Sequence, residues 1–70
     1  MRYAVVIEKT TGNYSAYVPD LSGCVATGAS IPEVENAIQE AIAFRLAGLK
    51  EDGIRPPTPL TKVEYVDVAG

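Results

Sequence analysis

The 70-residue sequence contains no histidine and no tryptophan, and only one cysteine, one methionine and one phenylalanine. Without histidine, neither a Ser-His nor a Cys-His pair is available for nucleophilic catalysis, because both use imidazole as the base. A lone cysteine excludes an internal disulfide, and one thiol without imidazole falls short of the ligand set of a structural zinc site. Basic residues are few as well. Arg2, Lys9, Arg45, Lys50, Arg55 and Lys62 are scattered among nine acids, leaving a net charge of −3 and a sequence pI near 4.6. Nucleic-acid binders usually draw affinity from basic patches that neutralise phosphates, so this balance argues against direct nucleic-acid contact. Long apolar runs are missing: nothing approaches the ~20 residues that span a bilayer. The opening Met1-Arg2-Tyr3 leads directly into strand-like sequence, with no signal-peptide pattern. The expected location is the cytoplasm.

What is present is a folding composition. Hydrophobic residues make up 47% and charged residues 21%, which places the chain among globular domains. Residues 1–70 are expected to form one domain. A domain this small buries only about 60% of the surface its unfolded chain exposes, so its stability margin is thin. Disulfide and metal being excluded, self-association remains as the reinforcement, and a homodimer or larger assembly is expected.

Residues 2–9 are rich in β-branched and aromatic residues and predict a strand, with Tyr3, Val5 and Ile7 on one face and Ala4, Val6 and Glu8 on the other. Both faces are apolar up to Glu8, which predicts a central strand or one covered on both sides. Thr10-Thr11-Gly12-Asn13 supplies turn chemistry, and Tyr14–Val18 resumes extended sequence to complete a hairpin. Pro19–Gly23 predicts a turn, and Cys24–Gly28 a short third strand.

Ser30 stands three residues before Glu33, the spacing of a capping box, and Pro32 falls in the first turn where its missing N–H costs nothing. The helix is predicted to reach Glu51 or Asp52, with Gly53 as its left-handed cap. Val34, Ala37, Ile38, Ala41, Ile42 and Leu49 share one side at helical spacing. Arg55–Pro59 reads as a stiff return, and Lys62–Tyr65 as a fourth strand whose phase Val66 and Val68 break, implying a bulge or an edge position. The expected fold is α+β, in the order β-β-β-α-β: a three-stranded antiparallel meander plus a fourth strand, with one long helix on one sheet face.

Chemistry-bearing residues yield little. Cys24, beside Val25 and Ala26, lacks the basic setting that makes a thiolate reactive and reads as core. The acids show no recognised metal-ligand spacing, and Asp20 suits a turn. Gly23-Cys24-Val25-Ala26-Thr27-Gly28-Ala29-Ser30 matches a phosphate-binding loop except that Ala29 replaces the lysine that supplies the charge. Pro56-Pro57-Thr58-Pro59 fits a P-x-x-P ligand but serves better as a rigid spacer. Arg45 falls inside the helix's apolar stripe; it reads as a snorkelling side chain, as a cross-sheet partner for a carboxylate, or as a contact at an oligomer or partner interface. No catalytic, cofactor or metal site is expected, and none of these residues predicts an enzyme.

These residues together resemble the HicB family of antitoxins. The matching elements are Ile7-Glu8-Lys9, Tyr14, Val18-Pro19-Asp20-Leu21-Ser22-Gly23-Cys24, Ala26-Thr27-Gly28, Glu33, Ala37-Ile38, Glu40-Ala41-Ile42, Gly53 and Pro57-Thr58-Pro59, which cover almost the whole chain. The Pro-Asp-Leu-x-Gly-Cys element followed by Thr-Gly and a capped helix is the specific part. The resemblance implies a partly degenerate ribonuclease-H-like fold without hydrolytic activity. It implies a non-enzymatic role in a type II toxin-antitoxin system: masking HicA, a small basic toxin that cuts messenger RNA. It also implies dimers or tetramers. Many members continue into a DNA-binding domain, which is not expected here because the sequence ends at Val68-Ala69-Gly70. A solitary oligomeric protein-binding module without a toxin partner is the alternative. Partner-binding residues are sought among the motif residues Pro19, Asp20, Leu21, Gly23, Cys24 and Gly28, with Arg45 as a possible interface contact.

Overall fold

A computed structural model describes residues 1–70. The hairpin forms as its turn chemistry predicts: β1 (Val6–Thr10) pairs antiparallel with β2 (Asn13–Tyr17), and Gly12 between them adopts φ +78°. The third strand, β3 (Val25–Gly28), pairs antiparallel with β2, so the sheet runs β1-β2-β3 in order. Side chains alternate across it. Tyr14, Ala16 and Val18 along β2 and its end, with Cys24 and Ala26 along the next strand, face the core. The row Val6, Tyr17 and Val25, aligned by the register, lies on the other face.

The helix α1 (Ile31–Glu51) begins and ends where its caps dictate. The Glu33 amide donates to Ser30 Oγ at 3.3 Å, and the Glu33 carboxylate accepts from the Ala29 amide at 3.1 Å. The carboxylate thus reaches back one residue further than a standard capping box, which pairs it with the cap residue's own amide. At the far end Asp52 caps, Gly53 takes φ +69°, and the Gly53 and Ile54 amides donate to the Lys50 and Leu49 carbonyls. That is the Schellman pattern, and it turns the chain back. The 21 residues span ~30 Å at ~1.5 Å each.

Helix and sheet bury six residues between them: Ala16, Val18, Leu21, Cys24, Val34 and Ile38. Half-buried Tyr3, Val5, Ile7, Tyr14, Ala26, Ala41, Ile42 and Leu46 close around them. Gly28 sets the closest approach, because a Cβ there would lie 2.6 Å from the Val34 backbone nitrogen. Only glycine lets β3 and the start of α1 meet so tightly.

Two expectations are corrected. The first strand is neither central nor covered on both sides: β1 is an edge strand, paired only with β2, and Val6 is half-exposed. On its outer face Val6 is the apolar residue, and it belongs to an uncovered sheet surface. The fourth strand is not formed, and Lys62–Tyr65 joins no ladder. Val66 breaks the alternation started by Val63 and Tyr65, so no single face of the segment is apolar throughout, and no ladder hydrogen bond holds it to the body.

Candidate functional site

The most motif-like stretch folds into a compact node at the end of the sheet where β2 stops and β3 starts. Val18 begins a turn closed by the Leu21 amide donating to the Val18 carbonyl at 3.1 Å. Pro19 stands second in it, where its fixed φ is already correct. A second turn follows at once, the Cys24 amide donating to the Leu21 carbonyl at 3.1 Å. Gly23 takes the third place with φ +78°, the left-handed conformation a type II turn demands. The Val18 amide then donates to the Cys24 carbonyl at 3.1 Å, closing the loop on itself. Val18, Leu21 and Cys24 point inward and supply half of the six buried residues.

Asp20 is left pointing sideways, and it has a definite job. Its Oδ2 accepts from the Leu60 amide at 3.2 Å and the Thr61 amide at 3.0 Å, while Oδ1 accepts from the Thr61 hydroxyl at 2.9 Å. The carboxylate clamps the returning C-terminal segment to the node across 40 residues of sequence. The bond from the Thr61 amide is the main reason its carboxyl sits below its ordinary acidity, with the Thr61 hydroxyl and Leu60 amide adding to it against a desolvation cost. Tyr3 makes the companion attachment, its hydroxyl donating to the Pro57 carbonyl at 2.6 Å.

Arg45 reaches from α1 to the node and donates to the Ser22 carbonyl. Its guanidinium lies 3.9 Å from where a Gly23 Cβ would be. Of the alternatives for Arg45, a carboxylate across the sheet is not its partner; a turn carbonyl is. Beside it opens a groove of about 490 Å³ between the helix and the start of β3, lined by Cys24, Val25, Phe44, Arg45, Leu49 and Asp52 among others. Phe44 is 83% exposed there and Val25 66%.

The structure therefore brings Pro19, Asp20, Leu21, Gly23, Cys24 and Arg45 together at one end of the molecule. Gly28 sits apart, at the opposite end of β3, under the helix start. Sequence reasoning overlooked Thr61, the main partner of Asp20, and Phe44, the largest exposed side chain of the groove. Thr61 carries no local signal, since its partner lies far along the chain. Phe44 does: it follows Ala41 by three residues, on the margin of the apolar stripe. Chemically, the site offers satisfied turns, an anchored carboxylate, and apolar surface flanked by Arg45 and Asp52. No group of three or more acids and thiols lies close enough to hold a metal ion.

Such an arrangement defines a small α+β domain with one helix on one sheet face and a rigid turn node at its end. The chain belongs to the HicB-like antitoxin family of bacterial toxin-antitoxin systems, whose profile matches residues 3–69. It is 33% identical over 67 residues to an uncharacterized 14.9 kDa protein from the rep-hol intergenic region of Haemophilus phage HP1, covering 96% of this chain and 50% of that one. It is 47% identical over 47 residues to a UPF0150 protein of Helicobacter pylori, covering 67% and 65% respectively. The chain thus spans half of the first relative's length and less than two thirds of the second's. No solved structure matches it.

Proposed function

We propose that this chain is the antitoxin of a type II toxin-antitoxin pair. It binds and masks a small, basic, mRNA-cleaving toxin of the HicA type in the cytoplasm, and performs no chemistry itself. The supporting observation is membership of the antitoxin family over residues 3–69. The physical features agree with a basic partner: net charge is −3, and the helix exposes Glu35, Glu40 and Glu51, with Asp52 exposed at its C-cap. Complementary charge speeds and orients encounter, while uncovered apolar surface supplies affinity. The groove at Phe44 and the open row Val6, Tyr17 and Val25 are the surfaces on which a toxin would dock.

The motif acid most suited to a residual nuclease role is otherwise engaged, since both oxygens of Asp20 accept from Leu60 and Thr61. In this reading Pro19, Leu21, Gly23, Cys24 and Gly28 shape the platform, and Arg45 and Phe44 meet the partner. The functional chain is a homodimer or tetramer, and residues 1–70 are one domain without direct nucleic-acid contact.

Co-expression with the product of a neighbouring short, basic reading frame tests the proposal. A stable complex and restored growth are expected. Growth arrest that this chain neither relieves nor accompanies with a complex would eliminate the toxin partner and leave the solitary binding module.

A further inference from the structure

The C-terminal segment carries a second kind of information. No residue beyond Ile54 takes part in a backbone–backbone hydrogen bond. The segment is fastened at its root by Asp20 on Leu60 and Thr61, and everything after that point is exposed. Its exposed side chains set Lys62, Glu64 and Asp67 beside β-prone apolar residues: Tyr65 is 95% exposed, Val68 87% and Val66 78%. The molecule measures 49 Å along its longest axis, well beyond the ~30 Å of its helix. Its radius of gyration, 13.9 Å, exceeds the ~11 Å of a compact 70-residue domain. An extended arm of mixed apolar and charged residues projects from a small body.

That body has an open receptor for such an arm. The outer edge of β1 pairs with nothing, and it carries neither proline nor bulge to protect it. Arg2, Tyr3 and Ala4, which lead into it, flank the root of the arm at Thr61, Lys62 and Val63 across an unfilled gap.

We infer that the arm, Lys62–Val68, adds as a fourth strand to the β1 edge of a second copy of this chain, and receives that copy's arm in exchange. The inference rests on the self-association reading above and names its surface. A second copy is the occupant because each chain holds both a donor strand and an acceptor edge; of the sheet's two unpaired outer edges, β1 and β3, the β1 edge continues from the residues beside the arm's root. Two copies related by a two-fold axis satisfy both at once and close the assembly. Charge does not oppose the pairing: Glu8 and Lys9 cancel on the edge, and the arm carries Lys62 against Glu64 and Asp67. A basic partner would instead be drawn to the acidic helix.

The test uses the full chain. In a sample mixing isotope-labelled and unlabelled copies, isotope-filtered NMR is expected to show contacts between arm residues of one copy and β1 of the other. Sedimentation should find a dimer, and Val66→Pro and Tyr65→Asp should each weaken it by about tenfold or more. Both positions are exposed on the single chain, so the variants should keep the parent's helical circular dichroism signal. A parent dimer that both variants leave unchanged, without contacts between copies through the arm, overturns the inference but not self-association. Arm contacts confined to a single copy also overturn it. A parent chain that sediments as a monomer overturns the self-association reading and this inference together.

Discussion

Asp20 and Gly28 show how much of this fold depends on single atoms. Asp20 is ionised in its clamp, and its carboxyl sits below the ordinary value of 3.8. A group whose acidity is strengthened by folding contributes stability above that ordinary value and loses the contribution as pH falls through the folded value. The clamp should therefore hold at neutral pH and release only in acid, below about 3.8. The Thr61 amide chemical shift is expected to titrate in that range in the parent and stay flat in Asp20→Asn. In Asp20→Ala, which keeps no side-chain acceptor, the Leu60 and Thr61 amides should exchange at the rate of free amides at neutral pH. A protected Thr61 amide in Asp20→Ala would mean another group holds the arm. Gly28 responds to volume. Its added Cβ in Gly28→Ala would overlap the Val34 nitrogen, so strand and helix must part. A loss of about 1–3 kcal/mol is expected by urea denaturation.

Among the elements, α1 stands on its terminal hydrogen bonds as much as on its buried stripe. Ser30→Ala removes the acceptor of the Glu33 amide, and a loss of about 1 kcal/mol is expected in the urea midpoint. Gly53→Ala forces an alanine into φ +69°, which costs about 1–2 kcal/mol by the same measurement. The helix buries only Val34 and Ile38 fully, although its apolar stripe is longer. Toward the C-terminal half the stripe opens into the groove, with Ala41 and Leu49 half-buried and Phe44 outside. The strands divide in the same way. Their inner positions fill the core, while Val6, Tyr17 and Val25 leave an apolar row uncovered.

At the scale of the whole molecule, six buried residues must hold 70 together. Native stability of roughly 0.05–0.15 kcal/mol per residue amounts to about 4–10 kcal/mol for a chain this long. Ile38→Ala should cost about 2–5 kcal/mol, enough to bring the isolated chain close to unfolding at room temperature. Thermal denaturation checks this: a melting temperature within a few degrees of the parent would mean that the core has been misplaced. Association would offset such losses, so the variant's melting temperature should rise with protein concentration.

The local elements were readable because their causes are local. The Gly12 turn, the Ser30–Glu33 cap, the Gly53 stop and the alternating inner faces of the strands all follow from residues a few places apart, and the structure keeps each of them. The family motif was visible as a run of residues, and folding explains its composition as two linked turns with three inward side chains.

What the sequence could not decide was how distant segments meet. Asp20 finds Thr61, Tyr3 finds Pro57 and Arg45 finds Ser22 only once helix and sheet have packed. The same packing made β1 an edge and left Lys62–Val68 without a partner, although both segments have strand-forming composition. Strand propensity records what a segment's own backbone and side chains favour, whereas pairing requires a second edge at the right place, and only the tertiary arrangement supplies or withholds it.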